Sequence, residues 1–152
     1  MSAQLKSANA DDLDELELKL LYSMPQNYFI PINRQASSTI TFLSNHLNES
    51  GCMDIFDYGF YYKQDFDAPA DMWNQSIVRQ YNTQWTVDLN FLYLSALMRS
   101  LDKICEVELQ KEYVQKILGK KLVPTQEGSL DYAPAEKGLE EDDFFYHMRI
   151  QD

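Results

Sequence analysis

From Thr86 to Leu118 the chain reads TVDLNFLYLSALMRSLDKICEVELQKEYVQKIL, with neither glycine nor proline before Gly119. Nothing in this stretch stops a helix, so its periodicity predicts one long central helix over 87–118. Gly119 with Lys120 and Lys121 would then end it, glycine permitting the left-handed cap and the lysines suiting the negative end of the dipole. Such a helix would be about 48 Å long, whereas a compact chain of this size is roughly 30 to 35 Å across. Either it breaks near Ser100 to Cys105, or its far half projects. Residues from Val87 to Met98 are apolar on nearly all sides, as in a helix buried among others. Beyond them the stripe narrows to Leu101, Ile104, Val107, Val114 and Leu118, and Glu112 and Lys116 form an i,i+4 pair on the outside.

Other helices fit around this one. In ADDLDELELKLLYSM, Leu13, Leu16, Leu20 and Met24 recur at helical spacing behind a first turn rich in acids, and Pro25 ends the segment. Asn33 or Ser37 opens a second helix carrying Ala36, Ile40, Leu43 and Leu47, with Gly51 as its stop. Asp67, Ala68 and Pro69 start a third, with Trp73, Ile77 and Tyr81 every four residues. QNYFIPINR is interrupted by Pro31 and reads as a connector or edge strand. CMDIFDYGFYYKQDF fits both periods, and Gly59 weakens either.

The fold expected is therefore mainly α, a compact domain of about five helices around 87–118. The alternative is α+β, with a small sheet made from residues 27–32 and 54–63. Residues 1–121 form the domain in this reading. A linker over 122–138 follows, given its prolines and glycines and its lack of periodicity, and 139–152 is an acidic and aromatic C-terminal helix or arm.

That arm contains EEDDFFYHM. Glu140, Glu141, Asp142 and Asp143 suit the first turn of a short helix, and Phe144, Phe145 and Met148 would share or flank one face. Such a helix either closes its own core, the preferred reading, or reaches into a partner's groove.

The 152 residues carry a net charge of −11, unevenly spread. Residues 1–24 hold five acids and two bases, and residues 122–152 hold eight and two. The stretch between is nearly balanced. This sign disfavours direct binding to nucleic acid or anionic membrane and suits a basic protein as partner. Aromatic residues interleave with acids in DIFDYGFYYKQDFD and EEDDFFYHM, giving apolar anchors in an anionic frame. The candidate partner-binding residues are Glu140, Glu141, Asp142, Asp143, Phe144, Phe145, Met148, Tyr58 and Tyr61.

No signature of nucleophilic, phosphate-binding or redox chemistry is present, and neither cysteine lies in a metal-ligand spacing. Cys52 and Cys105 each read as a buried, reduced thiol. His46 with Glu49 and Asp143 with His147 are the pairs from which a metal site or an enzyme's base could be built, though the preferred reading is a helical ion pair for Asp143 and His147 and a surface residue for His46. No cofactor is expected. The N-terminus lacks the pattern of a signal peptide and no apolar run is long enough to span a bilayer, so a cytoplasmic location is expected. These features point to a non-catalytic protein-binding module, such as an accessory subunit, an assembly chaperone or an inhibitor of a basic protein. Mimicry of nucleic acid is the alternative from a second class, and a metalloprotein or enzyme using His46 or His147 is the third.

Overall fold

The computed structural model of the chain describes residues 9–24, 26–61, 69–119, 122–124, 132–134 and 145–152. Its helices are α1 (Glu15–Ser23), α2 (Arg34–Ser44), α3 (Ala70–Ser76), α4 (Phe91–Ser100) and α5 (Gln110–Leu118), with a short 3-10 turn at Ala10–Asp12. Its strands are β1 (Cys52–Phe60), β2 (Val78–Tyr81), β3 (Gln84–Val87), β4 (Leu89–Asn90), β5 (Ile104–Leu109), β6 (Leu122–Pro124), β7 (Tyr132–Pro134) and β8 (Phe145–Gln151). The fold is thus α+β, and the expectation of a mainly α domain is overturned by a four-stranded mixed sheet of order β4-β1-β8-β5. The α+β alternative had the right class and the wrong pairing: β1 pairs with β8 and β4, and residues 28–33 form no strand.

The long helix fails at Asp102. α4 closes with Lys103 N–H donating to the Met98 carbonyl and Asp102 N–H to that of Arg99, while Asp102 takes a left-handed conformation, φ 60°. This is a Schellman closure with aspartate where glycine is usual, and aspartate is among the few residues that tolerate that region. Residues Ile104–Leu109 then alternate strictly. Cys105, Val107 and Leu109 turn toward the core, while Glu106 and Glu108 turn outward. A period of two, once extended, makes a strand of what also fits a helical stripe. Gly119 ends α5 in the left-handed region, φ 65°, as the sequence indicates.

β8 is the larger departure. Tyr146, Met148 and Ile150 are all buried on one face of the sheet, and the strand pairs antiparallel with β1 on one side and β5 on the other. Residues 145–151 are therefore the centre of the sheet, and the C-terminal helix expected there is not formed; residues 140–144 lie outside the described residues. Within the stretch read as linker, β6 and β7 pair as a two-stranded ribbon.

Against the inner face of the sheet lies α4, touching β1, β5 and β8, and α1 and α2 pack on α4 in turn. Phe91, Leu94 and Met98 of α4 meet Tyr146, Met148 and Ile150 in the main core. Asn90, fully buried, organises one end: its Oδ1 caps α4 by accepting from Tyr93 N–H, its Nδ2 donates to the Pro31 carbonyl, and its own N–H donates to Asn33 Oδ1. These bonds hold the QNYFIPINR connector in place without strand pairing. α1 starts at Asp14, which accepts from Glu17 N–H while Glu17 reaches back to the Asp14 N–H. Glu17 itself is buried and binds Arg34 of α2 through two hydrogen bonds of 2.9 and 2.7 Å. A smaller cluster of Phe60, Trp73 and Ile77 holds α3 against the end of β1. No helix among the described residues is long and apolar enough to cross a membrane.

Candidate functional site on the outer sheet face

The second face of the sheet carries the polar chemistry. Alternation along β1, β8 and β5 aligns Asp54, Arg149 and Glu106 in one cross-strand row, and Phe56, His147 and Glu108 in the next. α5 crosses this face and lays Tyr113 over it.

His147 is only 2% exposed. Its ring stacks on Phe56 at 4.7 Å and lies 3.8 Å from the Tyr113 ring, centroid to centroid. Nε2 donates to Asp54 Oδ1 at 2.7 Å, because a carboxylate can only accept. Nδ1 stands 3.5 Å from Glu108 Oε1, within charge contact but without hydrogen-bond geometry. Asp54 also takes a forked pair of bonds from Arg149, Nε to Oδ1 at 2.8 Å and Nη2 to Oδ2 at 3.0 Å. Arg149 reaches the Tyr113 hydroxyl as well, at 3.3 Å. Glu108 is ion-paired with Lys116 of α5.

The Arg149 guanidinium, with His147 in support, holds the Asp54 carboxyl below the ordinary carboxylate range. Glu108 in turn raises the Lys116 ammonium. Every partner in this network already has its counter-charge, and its imidazole is sealed between two rings. It can tie three strands and α5 together; it offers no open position beside His147. Among the described residues no group of three or more histidine, cysteine or acidic side chains is placed to hold a metal ion. His46 is separate from all this: its Nδ1 donates to the Phe42 carbonyl at 2.7 Å and its ring lies tilted against that of Phe42, centroids 4.5 Å apart.

The residues proposed from sequence are dispersed. Glu140, Glu141, Asp142, Asp143 and Phe144 lie outside the described residues. Phe145 and Tyr58 are brought together at the edge of the outer face, rings 4.6 Å apart and edge to face, with Arg79 over the Tyr58 ring. Tyr61 is half-buried against the core and takes a 3.4 Å bond from Arg99. Met148 is 0% exposed, so it packs the core and cannot be an anchor for a partner. The residues that sequence reasoning passed over are Asp54, Phe56, Glu106, Glu108, Tyr113 and Arg149. Alternation in β1, β5 and β8 was the signal that would have found all but Tyr113.

An open groove of about 650 Å³ runs beside this network, lined by Val107 and Glu108 of β5, Glu112, Gln115 and Lys116 of α5, and Gly119. Compared with family models, with curated proteins and with solved structures, the chain matches none of them.

Proposed function

We propose that this protein is a non-catalytic binding module whose partner is a basic protein. The observation that supports this best is how its charges are distributed. Lys19, Arg34, Arg79, Lys103, Lys116 and Arg149 each sit on a carboxylate of the same chain. Asp11, Asp12, Glu49, Asp71, Asp102 and Glu106 are exposed and have no ion pair among the described residues. Among the described residues internal pairing thus takes up most of the cations and leaves a surplus of acid facing water, where it would steer cationic partners. Large apolar side chains are exposed as well, Phe29, Phe42 and Tyr22 among them, each more than half exposed. Aromatic anchors within a charged surround are the usual composition of a binding surface.

Nucleic-acid mimicry is less well supported. It calls for rows of free carboxylates, yet in the two rows of the outer face Asp54 and Glu108 are each bound to a cation and only Glu106 is free. The experiment is affinity capture with the full-length chain from native lysate at low and at high salt, followed by reconstitution from purified components. A basic protein that forms a defined complex and dissociates as salt rises supports the reading. Partners that are not basic, or a complex indifferent to salt, contradict it.

A further inference from the structure

Among the described residues the last strand of the sheet is open on one side, and its chemistry specifies what fits there. β5 pairs with β8 along one edge, and no described strand pairs along the other. Two contacts establish which of its residues point outward. The Cys105 carbonyl accepts from Arg99 at 3.2 Å, and the Leu109 N–H donates to Glu112 Oε2 at 3.2 Å. Backbone groups in an antiparallel strand alternate in direction. Val107, midway between those two, therefore presents both its N–H and its C=O at the free edge, with the Cys105 N–H beside them. Arg99 and Glu112 occupy the outward groups at either end, and the groove against α5 runs along the gap between.

Resting on the reading that this protein binds a basic partner, we infer that the free edge of β5 receives an extended segment of that partner as a fifth strand, with Lys or Arg on two alternate positions and an apolar residue between. The residue paired with Val107 adds its side chain to the inner face, next to Val107 itself. Its two neighbours place theirs on the outer face, beside Glu106 and Glu108. Glu106 is exposed and without an ion pair, and Glu112 is exposed at the groove wall, so cations at those neighbouring positions are favoured. A second copy of the chain does not fit. Two β5 edges would oppose glutamates to glutamates on one face, between bodies each carrying −11. Strand addition of this kind draws affinity from main-chain bonds and selectivity from alternate side chains. The same glutamates that repel neutral or acidic edges, as guarded edges do, admit a basic one.

The test is a titration of isotope-labelled full-length protein with a blocked Lys-Val-Lys-Val-Lys-Val-Lys peptide, read by amide shifts and hydrogen exchange. Saturable binding should slow exchange at the Val107 and Cys105 amides by about tenfold or more. N-methylation of the central valine should abolish that protection. The Glu106→Gln, Glu112→Gln double variant should weaken binding about fivefold; both positions are exposed, and glutamine can still accept from the Leu109 amide. Failure of the peptide to bind overturns the inference. So does undiminished binding of the N-methylated peptide, and so does a Val107 amide already protected in the free protein. If the N-methylated peptide binds as well as the parent, the β5 site is lost while the basic-partner reading stands. If the lysate capture also yields no basic partner, both fall.

Discussion

At the scale of single residues, the outer face is held by an enclosed histidine, bonded to Asp54 through Nε2 and packed between two rings. His147→Ala removes a ring packed between Phe56 and Tyr113 and strips Asp54 of one bond, so a loss of about 2 to 4 kcal/mol is expected in a denaturant titration. Asp54→Asn should cost less, about 1 to 2 kcal/mol, because Asp54 is partly exposed and its pairing is screened by water. It should also change the acid limb of stability. The folded-state carboxyl is depressed by Arg149 and His147, so its contribution is full above the unfolded value of about 4 and disappears as pH falls through the folded one. The variant should therefore lose stability less steeply than the parent on acidification below that value. Gly59→Ala is harsher. A Cβ there would lie 2.3 Å from the Leu89 carbonyl oxygen and 2.6 Å from the Phe91 ring, where β1 meets β4. A loss of about 3 kcal/mol or more is expected, since backbone must move to admit it. Thiol labelling of the native protein should separate the cysteines. Cys52 is exposed and should react, whereas Cys105 is buried, its thiol pushed up to about 11 by desolvation, and should react only on unfolding.

At the scale of elements, what the sequence made legible was helices with clear punctuation. α1, α2 and α5 form within the predicted segments, with Asp14 and Asn33 at two starts and Gly119 at a stop. What it concealed was strands whose apolar residues also satisfy a helical spacing. Phe144 and Met148 stand four apart in sequence and suggest a helix face, yet in β8 Tyr146, Met148 and Ile150 alternate, and the sheet selects alternation because both neighbours of β8 are strands. In β5, Ile104 and Val107 suggest a helix, and Cys105, Val107 and Leu109 make the strand. The break at Asp102 falls within the Ser100 to Cys105 stretch that the length of the helix had already pointed to; what stayed hidden was that a strand follows it, and that aspartate performs the capping glycine usually signals. For the candidate site the same cause applies: Asp54, His147 and Glu108 belong to three strands far apart in sequence, and only their register brings them together. The consequence for β8 is direct. Its loss removes the shared partner of β1 and β5, so a chain ending at residue 144 should give the circular dichroism and exchange behaviour of an unfolded or molten protein.

Across the whole molecule, charge and topology divide the work. Most of the described cations are spent on carboxylates of the chain itself, and the pairs on Glu17, Asp54 and Asp152 join elements distant in sequence. The acids left over face water, and on the proposed reading they favour a basic partner. The sheet ends in an edge that the same acids guard. All of this depends on the C-terminal segment being the middle of the sheet, because among the described residues β8 is the only strand that pairs with β5. Native-state amide hydrogen exchange measured residue by residue tests that most directly. The amides of Tyr146, His147, Met148, Arg149 and Ile150 should be among the slowest in the molecule, exchanging only with global unfolding. Fast exchange across 145–151, with α4 still protected, would show instead a loosely held arm on a helical domain and would contradict the account.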